Sequence, residues 1–448
     1  MIDMSPIIAT IVMTIAVIIA VFVGFPLAFS IGGIALLIGF FTWGSSFLST
    51  IYYALWGVAT NYIFLAAPLF IFMGNMIGRS GVADKLFGAL YLWMGGLRGG
   101  LAMAVIVLGT ALAACVGIIG ASVSMLGIIA LPAMLQRGYS KSLACGAVCA
   151  GGTLGILIPP SIMLVIYGPT ASISVGKLFM GAFLPGLLLS SLYITYIAMR
   201  SFIQKDIGPS IPSEDRAAPL GTKVKLLFTS LFPLLFLIVA VLGSIFFGIA
   251  APTEAAAVGA LASIILTAAY KKLNWPVLKD TMYRTLLVGA YVIFFAAGAF
   301  TFTNVFLGLG CGHVVSDLIM SAPFGKWGAF ATIMFIIFIL GMFVDWIGII
   351  FIIVPIITPI GAALGFDKLW FAMMVCVNLQ MAFLSPPLAY AIFYLKGVTT
   401  PEMGISTMHI IRGVIPYIIL IAIGITLMII FPEVVTWLPK VSGKVSLN

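Results

Sequence analysis

The sequence predicts an all-α polytopic membrane protein built from two inverted repeats, and three observations predict it. Hydrophobic residues make up 63% of the 448 positions and charged residues only 7%, with a mean hydropathy of +1.28. The apolar runs are continuous over helix length. The same proline and glycine landmarks return at one offset in the second half.

A soluble domain carries roughly 25% charged residues, so the composition alone excludes that class. A hydrocarbon core about 30 Å thick takes about 20 apolar residues per helix, and inside it only helices and closed barrels satisfy their backbone groups. Barrel strands would alternate over about 10 residues, and these runs do not alternate. The formal charge of +9 fits Lys and Arg held in cytoplasmic loops. No basic run is interleaved with aromatics, so nucleic acid is not an expected partner. The cysteines, Cys115, Cys145, Cys149, Cys311 and Cys376, form no C-x-x-C pair, and His313 and His409 complete no zinc arrangement. They read as buried small residues.

About ten transmembrane helices follow in order: 7–23, 27–41, 51–77, 142–167, 178–199, 226–248, 254–270, 286–309, 369–394 and 413–431. The first run follows Met1-Ile2-Asp3 with no Lys or Arg ahead of it, and a cleaved signal wants a positive start. It is read as a retained helix. Two stretches, 100–134 and 327–364, are too long for one span and carry Gly or Pro near the middle. Each reads as two half-length helices in a re-entrant hairpin. Glu254 follows Pro252 and is expected to cap a helix N-terminus at the interface.

Placing the loop 200–225 inside puts 16 of the 21 Lys and Arg residues in cytoplasmic loops. Only Lys177, Lys326, Lys368, Lys440 and Lys444 remain outside. The positive-inside bias then sets both termini outside. The linker 201–225, with Asp206, Pro209, Pro212, Asp215, Arg216 and Pro219, is the one polar, Pro-rich stretch and lies near the midpoint. It divides a first repeat, 1–200, from a second, 226–448. Pro132, Gly138, Pro159-Pro160 and Tyr167 are answered by Pro359, Gly365, Pro386-Pro387 and Tyr394 at an offset of 227. Pro26 is answered by Pro252 at 226. With the assigned orientation the halves are inverted, each with a hairpin (about 100–135 and 327–364) and a broken helix (142–167 and 369–394).

Inverted repeats with broken helices are the signature of secondary transporters. Free backbone groups at membrane depth cannot face lipid; carbonyls at a half-helix end suit a hard cation and N-terminal ends suit an anion. The breaks fall at Gly151 to Ser161 and at Asn378 to Pro387, where paired prolines remove two donors. The hairpin tips are expected near Cys115 to Ile118 and Gly341 to Asp345. Asp345 is the carboxylate expected at membrane depth, a functional position by default. Ser122 and Ser124 follow a small-residue stretch and either face the site or serve close packing. There is no G-x-x-x-x-G-K-[ST] loop for a pump and no nucleophile–base constellation for an enzyme.

These segments resemble the large membrane subunit of the tripartite ATP-independent periplasmic (TRAP) transporters. The resemblance rests on Gly24-Phe25-Pro26, Pro132 with Gly138-Tyr139, Leu154 to Ser161, Pro252-Thr253-Glu254, Gly341 to Asp345 with Pro355 and Pro359, Asn378 with Ser385-Pro386-Pro387, and the ending Phe431-Pro432 with Trp437-Leu438-Pro439. It implies an elevator-type sodium symporter in a bacterial inner membrane, with no cofactor beyond the coupling ions. It also implies a separate small four-helix membrane subunit and a periplasmic substrate-binding protein that delivers a carboxylate such as a C4-dicarboxylate, keto acid or sialic acid. Carried over by position, one sodium site would use Val116, Gly117, Gly155, Ile158 and Pro160, and the second Gly341, Ala382 and Ser385. Substrate would lie near Asp345, Asn378 and Ser122. The chain departs from the family at the first tip, where Val116 and Ile118 replace hydroxyl residues around Gly117, and at Ser385, where Thr is usual. The alternatives are a symporter of the divalent-anion type that needs no binding protein, and a channel.

Overall fold

With apolar residues on almost every helix face, patterning does not choose a buried side, and close approach between small residues decides which helices meet. The computed structural model describes residues 3–212, 214 and 217–445, with side chains as far as Ser442, and every regular element in them is a helix. Asp215, Arg216 and the Lys444 side chain lie outside the described residues.

Helix α1 (Pro6–Val23) starts behind Ser5, whose hydroxyl accepts from Ile8 N, and ends at Gly24 with φ 95°. α2 (Leu27–Trp43) follows Pro26, and α3 (Phe47–Ala59) continues it after a short turn. The stretch 51–77, expected as one helix, is two. Asn61 Oδ1 accepts from Ile63 N at 3.0 Å and starts a new 3-10 turn that leads into α4 (Ala66–Arg79). Then come α5 (Val82–Met94), α6 (Gly100–Val116), α7 (Ile119–Gln136), α8 (Lys141–Thr153), α9 (Ile162–Ala171) and α10 (Val175–Ile203).

The second half holds α11 (Leu220–Phe246), α12 (Pro252–Ala269), α13 (Trp275–Gly308), α14 (Cys311–Met320) and α15 (Gly325–Gly341). It continues with α16 (Trp346–Ile352), α17 (Val354–Ala363), α18 (Lys368–Leu384), α19 (Tyr390–Val398), α20 (Thr407–Ile430) and α21 (Glu433–Val445). Glu254 caps α12 as expected, accepting from Ala251 N at 2.9 Å. The short helices α5, α14 and α21 were not among the expected elements. Among the described residues nine helical stretches are long and apolar enough to cross a membrane, or ten with the α16–α17 pair, bent by 54°, counted as one.

α6 and α7 are separated by Gly117-Ile118, and α15 and α16 by Met342 to Asp345. The first pair is longer than half-spans, α6 with 17 residues and α7 with 18, about 26 Å at 1.5 Å per residue. Pro132 sits inside α7 and Pro359 inside α17 without ending them.

One order of elements, a short helix, a hairpin, a broken helix and a long helix, runs from α5 to α10 and returns from α14 to α20. The second arm of each hairpin packs on the far piece of the other half's broken helix, α7 on α19 and α16–α17 on α9. Outside this core α4 packs on α12 and α13, and α2 on α13. α13 is one unbroken helix where the first half has α3, the Asn61 break and α4.

Candidate functional site: two helix breaks and two hairpin tips

The first break is built on glycine. A Cβ on Gly151 would lie 3.2 Å from Val105 O of α6, and one on Gly152 would lie 2.9 Å from Val123 Cα of α7. Both hairpin arms therefore close on the α8 backbone. Beyond Thr153 the helix tightens into a 3-10 turn, and Leu157 N and Ile158 N both donate to Leu154 O at 3.0 Å. Pro159 and Pro160 have no N–H to give, so Gly155 O is left without a helical donor. Ser161 Oγ donates to Ile156 O.

The first tip meets this break. Gly117 sits at φ 62°, and a Cβ there would lie 3.6 Å from Pro160 O. The Ser122 hydroxyl of α7 is buried without a hydrogen-bond partner among the described residues, 3.0 Å from where a Gly155 Cβ would stand. Gly117, Ser122, Gly155 and Pro160 are thus brought together. The Val116 backbone abuts Gly74 of α4, and the Ile158 side chain packs on Gly186 of α10.

At the second break Ser385 N donates to Ala382 O at 3.1 Å, and Leu388 N crosses to Met342 O at the second tip at 3.2 Å. Between them Pro386 and Pro387 leave Phe383 O without a helical donor. Gly341 lies directly against the Ala382 methyl. Ser385 Oγ donates to Met381 O at 2.9 Å, which leaves its lone pairs available. The two breaks differ in exposure: Pro159 to Ser161 are buried, while Pro386 to Leu388 are exposed.

Asp345 begins α16, its Oδ1 accepting from Trp346 N at 2.9 Å. It is partly buried and within electrostatic reach of the phenols of Tyr291, Tyr390 and Tyr394. The Tyr394 ring also covers Gly120 of the first hairpin, 2.8 Å from where a Cβ would stand. Tyr394 therefore touches the first hairpin while lying within electrostatic reach of the carboxylate of the second. Ser122 and Asn378, expected beside Asp345, are each buried against other elements. Ser122 stands with the first break, and Asn378 Nδ2 donates to Met334 O of α15 at 2.6 Å.

Sequence reasoning used Tyr394 only as a landmark of the repeat, and it gave no site role to Tyr291, Tyr390 or the pair Thr153 and Gln380. Gln380 Nε2 donates to Thr153 Oγ1 at 3.5 Å, joining α18 to α8. A signal existed, since the two are 227 apart, the offset of the prolines. Chemically, helix ends with unpaired carbonyls and buried hydroxyls suit a hard cation held by oxygen.

The family model of the "Tripartite ATP-independent periplasmic transporter, DctM component" matches residues 12–434. The chain is 31% identical over 440 residues to the C4-dicarboxylate TRAP transporter large permease protein DctM of Vibrio cholerae serotype O1, a match covering 93% of this chain and 94% of that protein. It is 30% identical over 382 residues to the isethionate TRAP transporter permease protein DctMQ of Oleidesulfovibrio alaskensis, covering 85% and 59% of the two. In fold it is similar to the YdaH transporter of Alcanivorax borkumensis, with a TM-score of 0.64 at 14% identity, covering 94% of this chain and 97% of that one. The family is one of transporter permeases, not enzymes, and its description makes its members one component of a tripartite transporter. An all-helical, multi-pass membrane chain matched by the family model over nearly its whole length belongs to the DctM family, the large permease subunits of bacterial TRAP transporters.

Proposed function

We propose that this permease takes up a small organic anion by sodium coupling, with a periplasmic binding protein delivering the substrate and a small four-helix membrane subunit completing the scaffold. The observation that carries the reading is the pairing of each hairpin tip with a proline-paired break, Gly117 with Pro160 and Gly341 with Ala382. Each pairing gathers backbone oxygens and a hydroxyl, Ser122 in one and Ser385 in the other, around a point where a helix ends inside the bundle. Sodium is a cation whose coordination such oxygen sets satisfy without a carboxylate.

Two inverted repeats account for the recurring element order and for the crossed packing of hairpins on broken helices. An elevator movement would carry the core, α6–α9 with α15–α19, past the scaffold of α2, α4, α12 and α13. Both termini then lie in the periplasm. The relatives named for a C4-dicarboxylate and for isethionate share a small carboxylate or sulfonate, and the second break, the tyrosines and Asp345 supply hydrogen-bonding groups at the exposed end of the site.

Reconstitution tests this. Uptake into proteoliposomes holding this chain and its membrane partner is expected only with an inward sodium gradient and the binding protein together. Uptake with sodium but without the binding protein would replace the reading with a stand-alone symporter, and gradient-independent conductance would replace it with a channel.

A further inference from the structure

On the scaffold, apart from both breaks, α4, α12 and α13 enclose an elongated groove of about 1290 Å³. Pro68 and Phe72 of α4, Ile264 of α12 and Leu286 and Ala290 of α13 line it. Gly289 lets α13 approach α4 closely at the floor of the groove, where a Cβ would lie 3.3 Å from Pro68 Cβ.

Only one end is charged. Lys279 and Asp280 line that end, and Asp280 pairs with both Arg79 and Arg284, the Arg284 Nε donating at 2.9 Å. Two cations thus hold one carboxylate, and Lys279 adds a third positive charge at this end of the groove. Lys272 reaches over Gly81 just beyond, at 3.8 Å from a Cβ position there. Thr285, next along α13, also lines the groove, and its hydroxyl is buried with no hydrogen-bond partner among the described residues. α13 has 34 residues, about 51 Å at 1.5 Å per residue, well over a hydrocarbon core of about 30 Å. Its first turns therefore stand at headgroup depth, and the stretch from Leu286 to Ile293 runs into hydrocarbon.

We infer that this groove holds one anionic phospholipid, its phosphate against Lys279 and Arg284 and one acyl chain laid along Ala290. A basic cluster at interfacial depth selects an anionic headgroup, and the joined apolar groove selects a chain over a free anion.

The test uses the full-length chain in detergent, titrated with phosphatidylglycerol and phosphatidylcholine of identical acyl chains and read by native mass spectrometry and thermal melting. Two basic groups at about fivefold each give an expected preference of roughly 25-fold for phosphatidylglycerol. Lys279→Gln with Arg284→Gln should abolish the preference while lipid still binds, and Ala290→Phe should abolish retention of both lipids. Should the double variant not fold, the comparison of the two lipids on the native chain and the Ala290→Phe variant still decide. Equal retention of the two lipids by the native chain overturns the inference. So does competition by inorganic phosphate as effective as that by phosphatidylglycerol, or crosslinking of Ala290→Cys to a second membrane subunit in the assembled complex.

Discussion

Gln380 Nε2 meets Thr153 Oγ1 at 3.5 Å between two fully buried side chains, and the two residues are 227 positions apart. The same offset relates Pro159-Pro160 to Pro386-Pro387. Under the proposed two-fold relation each residue is the counterpart of the other, and counterparts touch only at the axis. Thr153 ends α8 and Gln380 lies one turn before the end of α18, so both breaks lean on this one contact. Gln380 Oε1 has no hydrogen-bond partner among the described residues. An amide oxygen buried in that way costs about 1–3 kcal/mol, and what it accompanies is a fixed register between the two breaks.

Thr153→Val should therefore strand the Gln380 amide and destabilise the protein by about 1–3 kcal/mol. Thr153→Val with Gln380→Met should return to within about 1 kcal/mol of the parent, because replacing both partners by apolar groups of similar shape is nearly neutral. Thermal melting of the solubilised chain checks both. A Thr153→Val protein that melts with the parent would show that the contact contributes nothing.

The parts of this architecture legible in the sequence are those where the backbone itself carries the signal. Pro159, Pro160, Pro386 and Pro387 stop a helix by lacking N–H groups, and Gly117 turns a hairpin by adopting a positive φ. The break at Asn61 was not legible because a side-chain oxygen makes it, inside a run that is apolar on both sides of Thr60-Asn61-Tyr62. α5 and α14, at 13 and 10 residues, were missed because a search for full spans passes over short helices. In the site, the pairing of tips with breaks was an expectation of the family resemblance, whereas the placement of Ser122 and Asn378 depends on which helix face meets which neighbour. No spacing in an almost uniformly apolar helix encodes that.

Asp345→Asn isolates the charge from the fold. Asparagine keeps the side-chain oxygen that accepts from Trp346 N, and it is as good an N-cap as aspartate, so melting should stay within about 0.5 kcal/mol of the parent. The tyrosine cluster, however, loses its anion. An ionisable group kept at membrane depth is a functional position by default, so its loss should lower sodium-driven uptake by roughly 10- to 100-fold, the equivalent of about 1.4–2.7 kcal/mol. Uptake at the parental rate would remove Asp345 from the transport pathway.

Ser385→Ala takes one oxygen from the second break and nothing from the helix, since Ser385 Oγ only back-bonds to Met381 O. The half-saturating sodium concentration for uptake is expected to rise about tenfold, the equivalent of about 1.4 kcal/mol. Ser385→Thr, which restores the hydroxyl, should return it to the parental value. A sodium titration that superimposes for the parent and Ser385→Ala would leave the second site without its hydroxyl ligand.

Gly117→Ala asks whether the first tip holds an ion or merely turns the chain. At φ 62° a Cβ would stand 3.4 Å from Ile162 Cγ1 and 3.6 Å from Pro160 O. The left-handed conformation itself costs alanine about 1–2 kcal/mol. Relief comes by rotating the tip, which swings the Val116 and Gly117 carbonyls away from Pro160. Gly365, at φ 77° in the turn before α18, has nothing within 4 Å of a Cβ, so Gly365→Ala carries the same backbone strain at a place remote from both breaks. Both variants should lose about 1–2 kcal/mol in sodium-free melting, yet only Gly117→Ala should raise the half-saturating sodium concentration. An equal rise in the two would mean that general loosening of the bundle, rather than carbonyls at this tip, sets the sodium requirement.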